Sequence, residues 1–150
     1  MPTHDFLLLP EKDGDYSDYM DHLHDANSIK LDDDVVLYIG DTLKWIPTIN
    51  PSNSAEWAGH GLNYYGPTVI NRVGAAKAAS IFRHWAALLQ EGPEKIALTG
   101  DFEWTEEPST DGQYGIVEVD RDSVVKTLQG IAGFADQANG GHFFVLHLGV

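Results

Sequence analysis

Apolar positions along this chain fall into two spacings, and the spacings divide it into elements. Residues 6–9 read Phe-Leu-Leu-Leu and stop at Pro10, a short run that predicts a strand. The β-branched run at residues 35–39, closed by Gly40-Asp41, predicts another, with residues 42–46 a second strand after the turn. Residues 95–99 predict a strand, and residues 102–105 and 115–119 flank a polar turn as a hairpin would. Residues 143–148 are apolar on both faces apart from His147, the pattern of a central, buried strand.

Helical spacing appears three times. Tyr16, Tyr19, Met20 and Leu23 predict a short helix over residues 16–26, with Asp15 as its N-cap. Val73, Ala76, Phe82, Trp85, Leu88 and Leu89 predict a helix from an Asn71 cap to Gln90, weakened by Gly74 and ended by Gly92-Pro93. Val124, Val125, Leu128, Ile131, Ala132 and Ala135 predict a last helix, capped by Asp120 or Asp122 and terminated at Asn139-Gly140-Gly141. Helices and strands do not alternate strictly, and a hairpin is embedded among them. The expectation is a single α+β domain over residues 1–150, with a mixed five- to six-stranded sheet and about three helices.

Composition supports a core without staples. The chain has 150 residues, 43% of them hydrophobic, and no cysteine, which excludes disulfides, thiolate nucleophiles and cysteine-bound zinc. The apolar run near the start is far shorter than the roughly 7–15 residues of a signal peptide or the about 20 of a membrane helix. A soluble, cytoplasmic protein is expected.

Charge changes the picture more. The formal net charge is −14, and the excess acid is concentrated in two blocks. Residues 1–34 hold ten acids and two bases, and residues 101–122 hold eight acids and one base. The stretch between them is nearly neutral. Such a field repels nucleic-acid backbones and anionic membranes and attracts basic surfaces. Neither nucleic acid nor membrane is therefore an expected partner.

Four groups of residues invite chemistry. Asp18, His22 and Asp25 would share one face of a helix, where carboxylate and imidazole together can hold a metal ion. They read better as a solvated acidic face, and no metal or other cofactor is expected. Asp32-Asp33-Asp34 lacks the glycine-rich loop or lysine that would accompany a phosphate-bridged magnesium, and reads as a solubilising turn. Residues 47–67 form a long stretch of turn chemistry carrying Trp57, His60, Asn63, Tyr64 and Tyr65, matching no named fingerprint. Of the remaining histidines, His147 reads as a hydrogen-bonded core residue and His84 as lying on the polar side of its helix.

The fourth group is the hairpin. Asp101, Glu103, Glu106, Glu107 and Asp111 alternate with Phe102, Trp104 and Tyr114. Aromatic anchors supply burial and carboxylates steer encounter, so this mixture suits a basic protein surface. The leading expectation is a protein-interaction module contacting a basic protein partner through Glu103, Trp104, Glu106, Glu107, Asp111 and Tyr114. Its concrete version is an inhibitor or immunity protein for a cationic toxin. The alternative is a small hydrolase or ligand-binding protein with its site at residues 47–67, drawing on Trp57, His60, Asn63, Tyr64 and Tyr65. In the hydrolase version His60 and a carboxylate act as the acid–base pair. No nucleophile elbow or phosphate loop is present, so binding is expected over catalysis.

Overall fold

The computed structural model describes residues 2–52, 59–104 and 111–150. Its elements, in order, are β1 (Thr3–Pro10), β2 (Ile29–Asp32), α1 (Asp33–Leu43), β3 (Pro47–Thr48), β4 (Gly59–His60), β5 (Pro67–Ile70), α2 (Arg72–Gln90), β6 (Lys95–Trp104), β7 (Gly112–Asp120), α3 (Arg121–Asn139) and β8 (Phe143–Leu148). The fold is α+β with three helices, as expected. The strands are distributed differently from the expected mixed sheet. Four form an antiparallel sheet in the order β2-β1-β8-β5, while β3-β4 and β6-β7 form separate two-stranded ladders.

The last strand lies at the centre, between β1 and β5, and both its faces are covered. On one face Phe6, Leu31, Ile70 and Val145 meet the three helices and the root of the β6–β7 ribbon in a single core. On the other, Leu7, Val69, Phe144 and Leu146 pack with Tyr16, Leu148 and the flanking Tyr19 and Ile49.

The long helices follow their caps. The Asn71 side chain accepts from the Val73 amide, and the Asp120 side chain accepts from the Ser123 amide. The apolar face expected of α3 is the buried one. That of α2 is shifted: Ala75, Ala78, Ala79, Phe82, Ala86 and Leu89 are buried, whereas Val73 and Leu88 are exposed. Small alanines let α2 lie close against α3, and the Phe82 ring meets Phe6 of the sheet edge-on at 5.8 Å. Gly74 weakens the first turn only in isolation. A Cβ there would sit 2.0 Å from the Pro47 carbonyl oxygen, so its absence is what seats the helix against β3.

Several local expectations fail. Residues 35–39 are not a strand, and residues 42–46 are not another; α1 covers Asp33–Leu43. Val35, Val36, Ile39 and Leu43 are buried while Leu37 and Tyr38 stay exposed, a helical spacing that overrides the β-branched composition. The Asp triplet is no strand-edge turn either: Asp32 is the N-cap residue, and Asp33 and Asp34 lie in the first turn, where the helix dipole favours acid.

The expected helix over residues 16–26 shrinks to a single 3-10 turn, Tyr19–His22. Asp15 and Asp25 accept from the amides of Ser17 and Asn27, offering the backbone an alternative to helix. The helix-like spacing of Tyr16 and Tyr19 instead reflects packing on the sheet, where the Tyr16 ring meets Phe144 edge-on at 4.7 Å. Among the described residues no helix is long and apolar enough to cross a membrane.

Candidate functional site

The β6–β7 ribbon has two unlike halves. At its root Ile96, Leu98 and Val119 are buried in the core. Between Thr99 and Phe102 the register shifts by one extra residue on β6, and pairing resumes as Phe102 with Tyr114 and Trp104 with Gly112. Toward the bulge and beyond it the side chains lose the core: Ile116, paired with Thr99 just before it, is 74% exposed, and past it Trp104 is 72% exposed and Tyr114 63%.

Three rings hold one another there. Phe102 meets Trp104 at 5.1 Å and Tyr114 at 5.2 Å, both edge to face. A Cβ on Gly112 would fall 2.3 Å from the Phe102 ring, so that glycine is the floor on which the ring lies. The aromatic group is thereby shaped before any partner arrives.

Beside it runs a groove of about 390 Å³ between α1 and the ribbon. Asp34, Leu37 and Tyr38 line it from the helix, and Asp101, Glu103 and Ile116 from the ribbon. Here the two acidic blocks of the sequence meet. None of the described bases forms an ion pair with Asp34, Asp101 or Glu103. Of the residues expected at the partner surface, Glu103, Trp104, Asp111 and Tyr114 are all exposed, while Glu106 and Glu107 lie outside the described residues. The sequence did not point to Ile116, and it did not point to the α1 contributors because residues 35–39 read as a strand.

The residues expected at the alternative site separate. Trp57 lies outside the described residues. His60 is exposed on β4 and faces a cavity of about 590 Å³, walled mainly by Tyr16, Ile49, Pro51 and Val73. Asn63 holds its own loop, donating to the Pro67 carbonyl at 2.8 Å. Tyr64 faces a different cavity, of about 250 Å³, together with His4 and Lys44. Tyr65 is exposed and packs edge-on against Tyr64. No carboxylate among the described residues is hydrogen-bonded to His60.

A buried polar chain links four side chains, of which the sequence pointed only to His147. Tyr64 donates to Asp33 Oδ2 at 2.8 Å, and His4 Nε2 donates to Asp33 Oδ1 at 3.0 Å. His4 Nδ1 and His147 Nε2 lie 2.8 Å apart. With His4 donating to the carboxylate, its Nδ1 accepts from His147, and His147 Nδ1 is left as a buried atom without a partner. Burial, with His4 beside it, pushes the His147 pKa down to about 3, so the ring is neutral. The hydrogen bond to Asp33 pushes the Tyr64 hydroxyl up to about 12, and burial adds to this. Every hydrogen-bonding atom of His4 is thus engaged within the protein. The chain ties β1, β8, the start of α1 and the loop before β5 together, and supplies no free nucleophile. His147 is the core histidine its strand predicted, though its partner lies 143 residues away.

The acidic face Asp18, His22, Asp25 does not form as a helical ladder. Asp18 pairs with Lys12, and His22 and Asp25 approach only to 3.7 Å. No group of three potential metal ligands occurs among the described residues. Compared with known protein families, characterised proteins and solved structures, the chain matches none.

Proposed function

We propose that this chain is a protein-interaction module that docks a basic protein partner on the outer half of the β6–β7 ribbon and the groove beside it. An inhibitor or immunity protein for a cationic toxin is the concrete form of this reading. The observation that carries it is the pre-shaped ring cluster of Phe102, Trp104 and Tyr114, exposed beside carboxylates from both acidic blocks. Large aromatics left in water are the residues that most often become binding anchors, and surrounding acid raises the encounter rate with a basic surface. The net charge of −14 extends that attraction over the whole molecule.

Stopped-flow binding to a partner isolated by affinity capture, run at two ionic strengths, tests the proposal. Reversing Asp101 and Glu103 to Lys is expected to slow association and flatten its salt dependence. Trp104→Ala is expected to accelerate dissociation instead. Association unchanged by the charge reversal would reject this reading.

A further inference from the structure

A second site lies on the Tyr16 side of the central sheet, where the first turn of α2 also reaches. There the chain from Gly14 to Ser17, the β3–β4 ladder and the start of α2 enclose the cavity of about 590 Å³ noted above. Its size falls within the range of small-molecule sites, about 300–1,000 Å³. Its polar groups are largely committed inside the protein. Tyr16 donates its hydroxyl hydrogen to Glu11, Asn71 Nδ2 donates to the Tyr16 oxygen, and Thr48 donates to the Gly61 carbonyl. What remains for a ligand is chiefly the apolar surface of Tyr16, Pro47, Ile49, Pro51 and Val73.

Among the described lining residues Asp15 is the one carboxylate, with His60 the one imidazole. Asp15 accepts from the Ser17 amide at 3.0 Å and the Ser17 hydroxyl at 2.6 Å, bonds that hold its pKa below the ordinary value and keep it ionised. The nearby Lys12 lowers that pKa further but forms its ion pair with Asp18. A smaller cavity shares Gly14, Tyr16 and Asn71 with this one and carries Glu11 and Asp13 against the single base Arg72. Negative charge therefore prevails around the chamber, and an anionic ligand would enter against it.

From this geometry we infer that the cavity binds a small organic cation: an apolar body seated against Tyr16, Ile49 and Val73, with an ammonium group directed to Asp15. The site is separate from the ribbon, and neither proposal depends on the other.

Isothermal titration calorimetry with three probes of one shape tests it: adamantylammonium, neutral adamantanol and adamantanecarboxylate. The cation is expected to bind tightest and the carboxylate at least about tenfold more weakly. Asp15→Asn keeps the acceptor for Ser17 and should erase the preference for the cation while leaving adamantanol affinity unchanged. Val73→Trp, at a side chain 74% exposed, should obstruct the cavity without disturbing the core and weaken cation binding by at least about tenfold, with an unchanged circular dichroism spectrum. Equal affinity for all three probes, indifference to Val73→Trp, or no binding of any probe would each overturn the assignment.

Discussion

Two regions of this molecule depart from the ordinary partition of polar and apolar groups, in opposite directions. Around His4, Asp33, Tyr64 and His147, polar side chains are drawn into the protein, with both imidazoles wholly buried. On the ribbon, Phe102, Trp104, Tyr114 and Ile116 are left in water. A buried polar group costs free energy unless hydrogen-bonded, so the first region is wired almost completely, with His147 Nδ1 its one orphan. An exposed ring has no such penalty to meet and contributes little to folding. The first region is accordingly a stability device, and the second is free to serve a partner. The comparison separates them more cleanly than composition could, since both contain aromatics and acid.

The comparison can be broken by substitution. The largest effect is expected in the sheet interior, at Leu146, which is fully buried on the central strand. Leu146→Asp should abolish cooperative unfolding, because an unpaired buried carboxylate costs several kcal/mol against a whole-domain stability of about 5–15 kcal/mol. A variant melting within a few degrees of wild type by circular dichroism would contradict the central placement.

Asp33→Ala comes next. It strands the donors of His4 and Tyr64 together and should cost about 2–4 kcal/mol in urea unfolding. A cost near zero would mean the polar chain carries no stability.

The same chain predicts a pH dependence. His147 has its pKa lowered from 6.5 to about 3 by burial and by His4 beside it. Above 6.5 the ring is neutral in both folded and unfolded states. Below it the unfolded state takes up a proton that the folded state refuses, so stability falls as pH drops from 6.5 toward about 3. By about pH 5 this amounts to roughly 2 kcal/mol. Urea unfolding at neutral pH and at about pH 5 should show that loss in wild type and a smaller one in His147→Gln, which keeps a donor for His4 but does not titrate.

On the ribbon the same measurement should barely move. Trp104→Ala should change stability by no more than about 0.5 kcal/mol, the behaviour of a surface position. A cost of several kcal/mol would make the rings structural and undercut their role as anchors. The smallest expected effect is none: random duplex DNA at physiological salt should give no anisotropy change, since its phosphates meet a chain of net charge −14.

Legibility tracked distance along the chain. Asn71 and Asp120 bond amides two and three residues away; the first cap was readable from residue type and position, and the second was narrowed to Asp120 or Asp122. The inward face of α3 followed from a repeat within one helix. By contrast, a β-branched run followed by Gly40-Asp41 suits a strand and a turn, and the helical spacing of α1 became decisive only when the sheet and α2 gave Val35, Val36, Ile39 and Leu43 something to pack against. The acidic–aromatic character of the ribbon was equally local. Its shared groove with Asp34 was not, because that required α1 to be a helix.

By itself, then, the sequence determined what short-range physics controls: the two long helices and their caps, the doubly buried β8, the α+β class, and the exposed mixture of acid and aromatic residues on the hairpin. The tertiary structure alone decided which distant residues meet. His4 reaches His147 only because β1 pairs antiparallel with β8, and Asp33 reaches His4 because the chain turns from β2 directly into α1. Asp34 faces Asp101 and Glu103, and Asp15 shares a cavity with His60 and Val73, through the same kind of long-range closure. Caps and periodicities are written into neighbouring residues. A cluster of side chains exists only once sheet pairing and core packing have offset the entropy of bringing its members together.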